Sequence, residues 1–299
     1  MGIIPTLSDL RVQRYTFFLK LTNFIAIFFT FHHIFRTFAG KKHLISVEME
    51  EKSRCIVLRT VKLGEGKMIA DLLCRECGRL SVLLPSSVGR RPSSRRGGGA
   101  HGVGVGCRQL FQPLSVLEAD IFLAPRQTLA RLNDVRMAVV YTSLPFDGVK
   151  LSLAFFVAEF LSFSTRDMHC DHILYDFVEQ SLQWLDAAER GIANFHLVFM
   201  MRMARFLGFH PDLEGFSPGA FFDLREGCFS SSAPCHSDFL TPEEAERFLM
   251  LTRMTHGTAH LFRMTRDERN HATDLCLRFY RLHIPSFGEM KTLEVLRAL

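Results

Sequence analysis

Residues Cys55–Glu118 read CIVLRTVKLGEGKMIADLLCRECGRLSVLLPSSVGRRPSSRRGGGAHGVGVGCRQLFQPLSVLE, and this stretch decides the fold. Arg54–Lys62 has a β-branched and aliphatic interior and reads as a strand. Gly64-Glu65-Gly66 turns the chain and Met68–Leu73 returns. Glu76-Cys77-Gly78 turns it again before Arg79–Leu84. Pro85 to Gly106 is rich in Ser, Arg, Gly and Pro and carries neither a strand nor a helix pattern. Phe111–Leu123 and Gln127–Val135 complete five short strands with no helical period between them. That succession suits a closed or nearly closed barrel of the OB type.

Charge is placed unevenly. The formal net charge of +5 is modest, but Arg90–Arg108 holds five arginines and no acidic residue. Such clustering attracts polyanions. Arg90, Arg91, Arg95, Arg96 and Arg108 are therefore expected to neutralise nucleic-acid phosphates, with the interleaved glycines letting the segment follow a strand. Lys62, Lys67, Arg75 and Arg79, at strand ends or turns, extend the same expected surface. Phe111 and Phe122 are the barrel's only aromatic residues, and core packing is the expected job of both. Contact is thus expected through the backbone rather than the bases.

Beyond residue 136 the pattern becomes helical. Val149–Phe163 is apolar on nearly every side, as a helix in the middle of a bundle would be. Asp171–Ala188 and Ala193–Leu207 continue it, with Gly208 as a left-handed stop. Gly208–Phe239 reads as irregular. Thr241-Pro242-Glu243-Glu244 and Thr265-Arg266-Asp267-Glu268 are capping boxes that open two more helices. The expected fold class is α+β: an OB-fold barrel over residues 49–136, then an all-helical domain over 137–299 with an irregular insert at about 208–240. At 299 residues, with 47% hydrophobic and 22% charged residues, the chain can bury such cores and is not disordered. Eight irregularly spaced cysteines read as reduced thiols rather than a disulfide framework.

Residues 1–48 fit none of this. Leu21–Phe35 is apolar and uncharged, flanked by Lys20 and Arg36, and shorter than a spanning helix. A membrane anchor, a signal sequence and codons upstream of the true start all fit, and Met49-Glu50-Glu51-Lys52 would be a natural beginning.

Sites for bond chemistry are not expected. Gly64-x-Gly66-Lys67 lacks the spacing of a phosphate loop, and Gly102-x-Gly104-x-Gly106 does not open a helix. Cys74-x-x-Cys77 has no second pair, so a structural role is expected. His169-Cys170-x-His172 lacks further ligands, and Cys228, Cys235, His236 and His210 have no compact ligand spacing. Glu159, on the apolar helix, is expected to accept internal hydrogen bonds. Arg202 and Arg205 alternate with Phe199, Met200, Met201, Met203 and Phe206, an arrangement suited to an acidic, hydrophobic peptide.

The ordered series LRTVKLGEGKMIADLLCRECGRLSVL, the basic segment and QPLSVLE resembles the N-terminal domain of the RecO family of recombination mediators. Ala158-Glu159-Phe160-Leu161, FMMRMARFLGFHPDL, SPGAFFDLREGCF, Pro234–His236 and LFRMTRDERN are similar to its C-terminal half, in the Bacteroidetes branch. The resemblance covers about Glu50 to Leu299. It implies a non-enzymatic, cytoplasmic, nucleoid-associated protein that binds single- and double-stranded DNA and anneals complementary strands. It also implies action with RecR, docking on the acidic tail of single-strand binding protein (SSB), and indirect loading of RecA. Many members hold zinc through four cysteines in the segment equivalent to Gly208–Phe239. Here Glu214, Gly215 and Phe216 stand where a first cysteine would, so no metal or other cofactor is expected. The alternatives left open are an OB-type module on structured RNA and a membrane-tethered interaction protein.

Overall fold

The computed structural model describes residues 49–63, 67–84, 109–123 and 128–298. Strands β1 (Met49–Leu63), β2 (Lys67–Cys74), β3 (Gly78–Leu84), β4 (Val116–Leu123) and β5 (Leu129–Met137) close a barrel in the order β1-β2-β3-β5-β4. Neighbours are antiparallel except across the short β3–β5 seam, where Ser81 faces Leu129 and Val82 faces Ala130. Period-two alternation fills the interior with Val57, Leu72, Val82, Leu117, Ile121 and Leu132, all buried. Strand β1 is long because its first half pairs with β4 and its second with β2. The stretch before β4 departs from the expected strand. Pro113 has no N–H to give a ladder, and Leu114 takes a φ of 63°. Leu114 instead donates its N–H to the Val57 carbonyl at 2.6 Å, and buried Phe111 plugs the barrel.

Six helices follow: α1 (Gly148–Ser164), α2 (His172–Ala187), α3 (Phe195–Phe206), α4 (Pro242–Arg253), α5 (Arg266–His283) and α6 (Leu293–Arg297). Asp147 and Asp171 cap α1 and α2, and both threonine capping boxes form as expected. Gly208 closes α3 with a φ of 83°. Helix α1 lies centrally, touching β1, α2, α3 and α6. Glu159 on it accepts from the Lys291 and Thr292 N–H groups and the Thr292 hydroxyl, so this carboxylate pins the chain entering α6. The irregular insert proves to contain a three-stranded sheet of β6 (Phe221–Asp223), β7 (Cys228–Ser230) and β8 (Phe239–Leu240), ordered β7-β6-β8. Its strands are too short to print a period in sequence.

Barrel and helices belong to one compact unit, Glu48–Leu299. The outward side chains Ile56, Leu58, Leu73 and Val116 join the helical core instead of the barrel's own. Gly78, with φ 70°, brings the β2–β3 turn so close that a Cβ would stand 2.7 Å from the His169 and Cys170 backbone. Asp186 at the end of α2 accepts from the Thr142, Ser143 and Leu144 N–H groups. Burial would raise this carboxyl, but those three bonds bring it down to about 2. The linker between barrel and α1 is held at that point.

Candidate nucleic-acid interface

The nine basic residues expected at the interface fall into three groups. Arg90, Arg91, Arg95, Arg96 and Arg108 lie outside the described residues. Lys62 and Lys67 are exposed at the β1–β2 end and make no ion pair or hydrogen bond among the described residues. Met68 faces Leu84, so Lys67 stands beside the point where β3 leads into the arginine-rich segment.

Arg75 and Arg79 have other work. Arg75 grips Asp176 of α2 through both its Nε, at 2.7 Å, and its Nη2, at 3.0 Å. Its neighbour Arg54 reaches Glu179 of the same helix at 2.5 Å. Arg79 bonds Asp71 at 3.2 Å and the Thr165 hydroxyl at 3.1 Å, and its side chain is only 11% exposed. These contacts clamp the barrel to α1 and α2, so the two guanidinium groups are occupied by the protein's own acidic and hydroxyl groups.

The expectation for aromatics is half right. Phe111 is 3% exposed and belongs to the barrel core. Phe122 does not: it is half-buried, outward on β4, and part of neither core. Inward Leu117, Ala119 and Ile121 fix that parity, a signal that strict alternation in VLEADIFL already carries. Its partner across the strands is Arg131, exposed and unpaired among the described residues.

The cysteine and histidine candidates disperse. Cys74 turns into the barrel, its sulfur 2.8 Å from that of Cys55. Cys77 sits apart beside Glu51, and burial together with that carboxylate pushes its thiol up to about 12, far from a reactive thiolate. Cys170 lies on the Arg75 carbonyl at 3.2 Å. No three potential ligands gather into a metal site among the described residues. Around the three-stranded sheet, Asp238 takes Arg225 of the β6–β7 turn at 2.7 Å and Arg278 of α5 at 2.8 Å, so one of these pairs joins the sheet to a helix, and His236 lies 3.1 Å from the Asp223 carboxylate.

A second surface lies between α4 and α5. A cavity of about 250 Å³ is floored by Phe248, Leu251, Met254, Phe262 and Leu275. Arg263 lies at its edge, exposed and without an ion pair among the described residues. Arg269 stands in the adjoining depression, its side chain bonded among the described residues to the Asn194 side chain and the Met264 carbonyl, and burial lowers its pKa. Glu268 nearby is tied to the Thr265 N–H. Arg202 and Arg205 of α3, by contrast, do not line this groove; Arg202 is half-buried and Arg205 exposed. No helix among the described residues is long and apolar enough to cross a membrane.

Comparison with known proteins follows the two halves of the fold. A family model described as Recombination protein O N terminal matches residues 49–141, and one described as Recombination protein O C terminal matches residues 145–292. The chain is similar to the DNA repair protein RecO of Phocaeicola vulgatus, 39% identical over 251 residues, which cover 84% of this chain and 99% of that one. It is 34% identical to the Bacteroides fragilis protein of the same name over 252 residues and 33% to that of Porphyromonas gingivalis over 249, with 84% and 83% of this chain covered and 99% and 98% of those.

Proposed function

This chain belongs to the RecO family of DNA repair proteins, and on that premise we propose that it is a recombination mediator without bond chemistry of its own. It binds single- and double-stranded DNA, anneals complementary strands, and acts with RecR to help RecA onto DNA covered by SSB. The mechanism is physical: cations on the barrel neutralise two phosphate backbones and so reduce their mutual repulsion. The observation that carries this reading is the end of the barrel at which Lys62 and Lys67, unpaired among the described residues, stand beside the last residue of β3, after which the sequence continues to Arg90, Arg91, Arg95, Arg96 and Arg108. Four-fold replacement of Arg90, Arg91, Arg95 and Arg96 by serine tests it in a salt series of single-strand binding. The log–log slope is expected to become shallower by roughly 0.7 for each phosphate no longer neutralised. An unchanged slope with unchanged affinity would remove those arginines from the interface, and tighter binding of folded RNA than of either DNA would favour the RNA alternative.

The acidic SSB tail finds its best support at the α4–α5 groove, where an apolar floor lies beside two guanidinium groups that make no ion pair among the described residues, the lining Glu268 being engaged by Thr265. Replacing Arg263 and Arg269 together by glutamine is expected to weaken tail-peptide binding about tenfold or more, by loss of charge-assisted bonds. The same loss from Arg202→Gln with Arg205→Gln, and none from the first pair, would move the site to α3.

A further inference from the structure

Building on the DNA-binding reading above, we propose that Phe122 and Arg131 form a stacking site for one unpaired base on the outer wall of the barrel. Beyond Val116, which packs on the helices, the outward residues of β4 are Glu118, Asp120 and Phe122, and the outward neighbour of Phe122 on β5 is Arg131. The half-buried Phe122 ring contacts no aromatic ring or cation among the described residues, and part of it is left to solvent. On the β1 side the register neighbour is Glu50, and on the β5 side it is Arg131. Across the β3–β5 seam, Val82 faces Ala130, which brings Leu83 into line with Arg131; Leu83 is 38% exposed although the residues on either side of it are buried. Leu83, Arg131 and Phe122 thus make a row across three strands, about 10 Å wide at ordinary strand spacing.

The charges around this row separate Arg131 from its neighbours. Glu118 takes both Lys52 and Arg136 at 2.9 Å, so those two cations are compensated. Asp120 lies one row further, in register with Lys52 and Asn133. Arg131 alone of the basic residues on this β4–β5 face is left unpaired among the described residues. A partly exposed aromatic ring beside a guanidinium with no ion pair among the described residues matches a nucleotide: the base stacks on the ring while the guanidinium meets the phosphate. A duplex cannot use the ring, because each base face is already covered by its neighbours in the stack. The row therefore distinguishes single strands from duplexes, which the basic segment by itself does not.

The test measures fluorescence anisotropy of the full chain with three labelled ligands of one length: a thymidine oligonucleotide, an abasic strand and a duplex. The unaltered protein is expected to bind the thymidine strand more tightly than the abasic one. Phe122→Ala should lose about tenfold on the thymidine strand alone, erasing that difference, while Phe122→Trp restores it. Arg131→Gln should make the single-strand salt slope shallower by roughly 0.7. An equal loss from Phe122→Ala on all three ligands, or no loss on any, overturns the stacking site. If that variant keeps all three affinities but no longer co-elutes with RecR, the row is a protein-docking face and the proposal fails. Failure of the unaltered protein to bind any of the three ligands would overturn the broader DNA-binding reading, a result distinct from the others.

Discussion

Asp71→Ala is expected to destabilise the protein by about 3–5 kcal/mol, a large part of the 5–15 kcal/mol that a folded domain holds in reserve. Asp71 is 7% exposed on β2 and serves three donors: the Ser81 hydroxyl at 2.5 Å, Arg59 at 2.6 Å and Arg79 at 3.2 Å. Burial alone would raise its pKa, but the Ser81 and Arg59 hydrogen bonds and the Arg79 charge hold it below the usual carboxylate range. Removing the carboxylate leaves the Arg79 guanidinium nearly enclosed and unpaired, and burial already lowers the pKa of that group. The cost therefore comes mainly from the stranded cation rather than from the missing attraction. Arg79→Met in the Asp71→Ala background should recover part of the loss. The pH dependence has a definite sign. A carboxylate whose folded pKa is depressed contributes fully above its unfolded value of about 4 and loses that contribution as the pH falls below it. Urea midpoints between about pH 7 and pH 3 should thus converge for Asp71→Ala and the unaltered protein as acid is added. Equal sensitivity of Asp71→Ala at every pH would show that the carboxylate acts by packing alone.

The same cluster shows how far residue patterns reach. Glycine turns and alternating apolar residues print the barrel in sequence because each strand's environment repeats within a few residues. The capping boxes at Thr241 and Thr265 are equally local, and both form. Arg79 is held partly by Asp71, eight residues back across the β2–β3 hairpin, but the other partners are remote: Asp176 lies 101 residues from Arg75, and Thr165 lies 86 from Arg79. No local pattern encodes such a pairing. Phe122 is a different case, since its outward direction follows from the parity of Leu117, Ala119 and Ile121; weighing aromatics by type and not by parity assigns it to the core. The α4–α5 groove draws residues from α4, α5 and the connection between them, and is created only when the helices dock. The three-stranded sheet escapes notice because two or three residues per strand cannot establish a period.

Phe160→Ala should cost about 3–5 kcal/mol, and the form of its unfolding curve carries as much information as its midpoint. Phe160 is fully buried on α1, with its ring 4.8 Å from that of Tyr280, 5.7 Å from Phe287 and 6.1 Å from Phe199. It thus joins α1, α3, α5 and the chain entering α6 in one aromatic cluster. Truncation leaves a cavity whose walls are anchored on separate helices; Tyr280, for one, is held by its hydroxyl donating to the Met200 carbonyl at 2.7 Å. Collapse around the gap is therefore limited, which places the cost toward the upper end of the range. The barrel does not escape this loss. Ile56, Leu58, Leu73 and Val116 on its outer wall share the core that contains Phe160, and Arg54 and Arg75 clamp that wall to α2. Barrel and helices are expected to unfold in one transition, followed alike by circular dichroism at a β-sensitive and a helix-sensitive wavelength, with the midpoint of Phe160→Ala displaced and its slope unchanged. Two separated transitions in the variant, the barrel persisting after the helices melt, would show that the shared core couples the halves less tightly than its packing implies. Arg54→Ala with Arg75→Ala should then widen the separation, because it removes the ion pairs that remain between them.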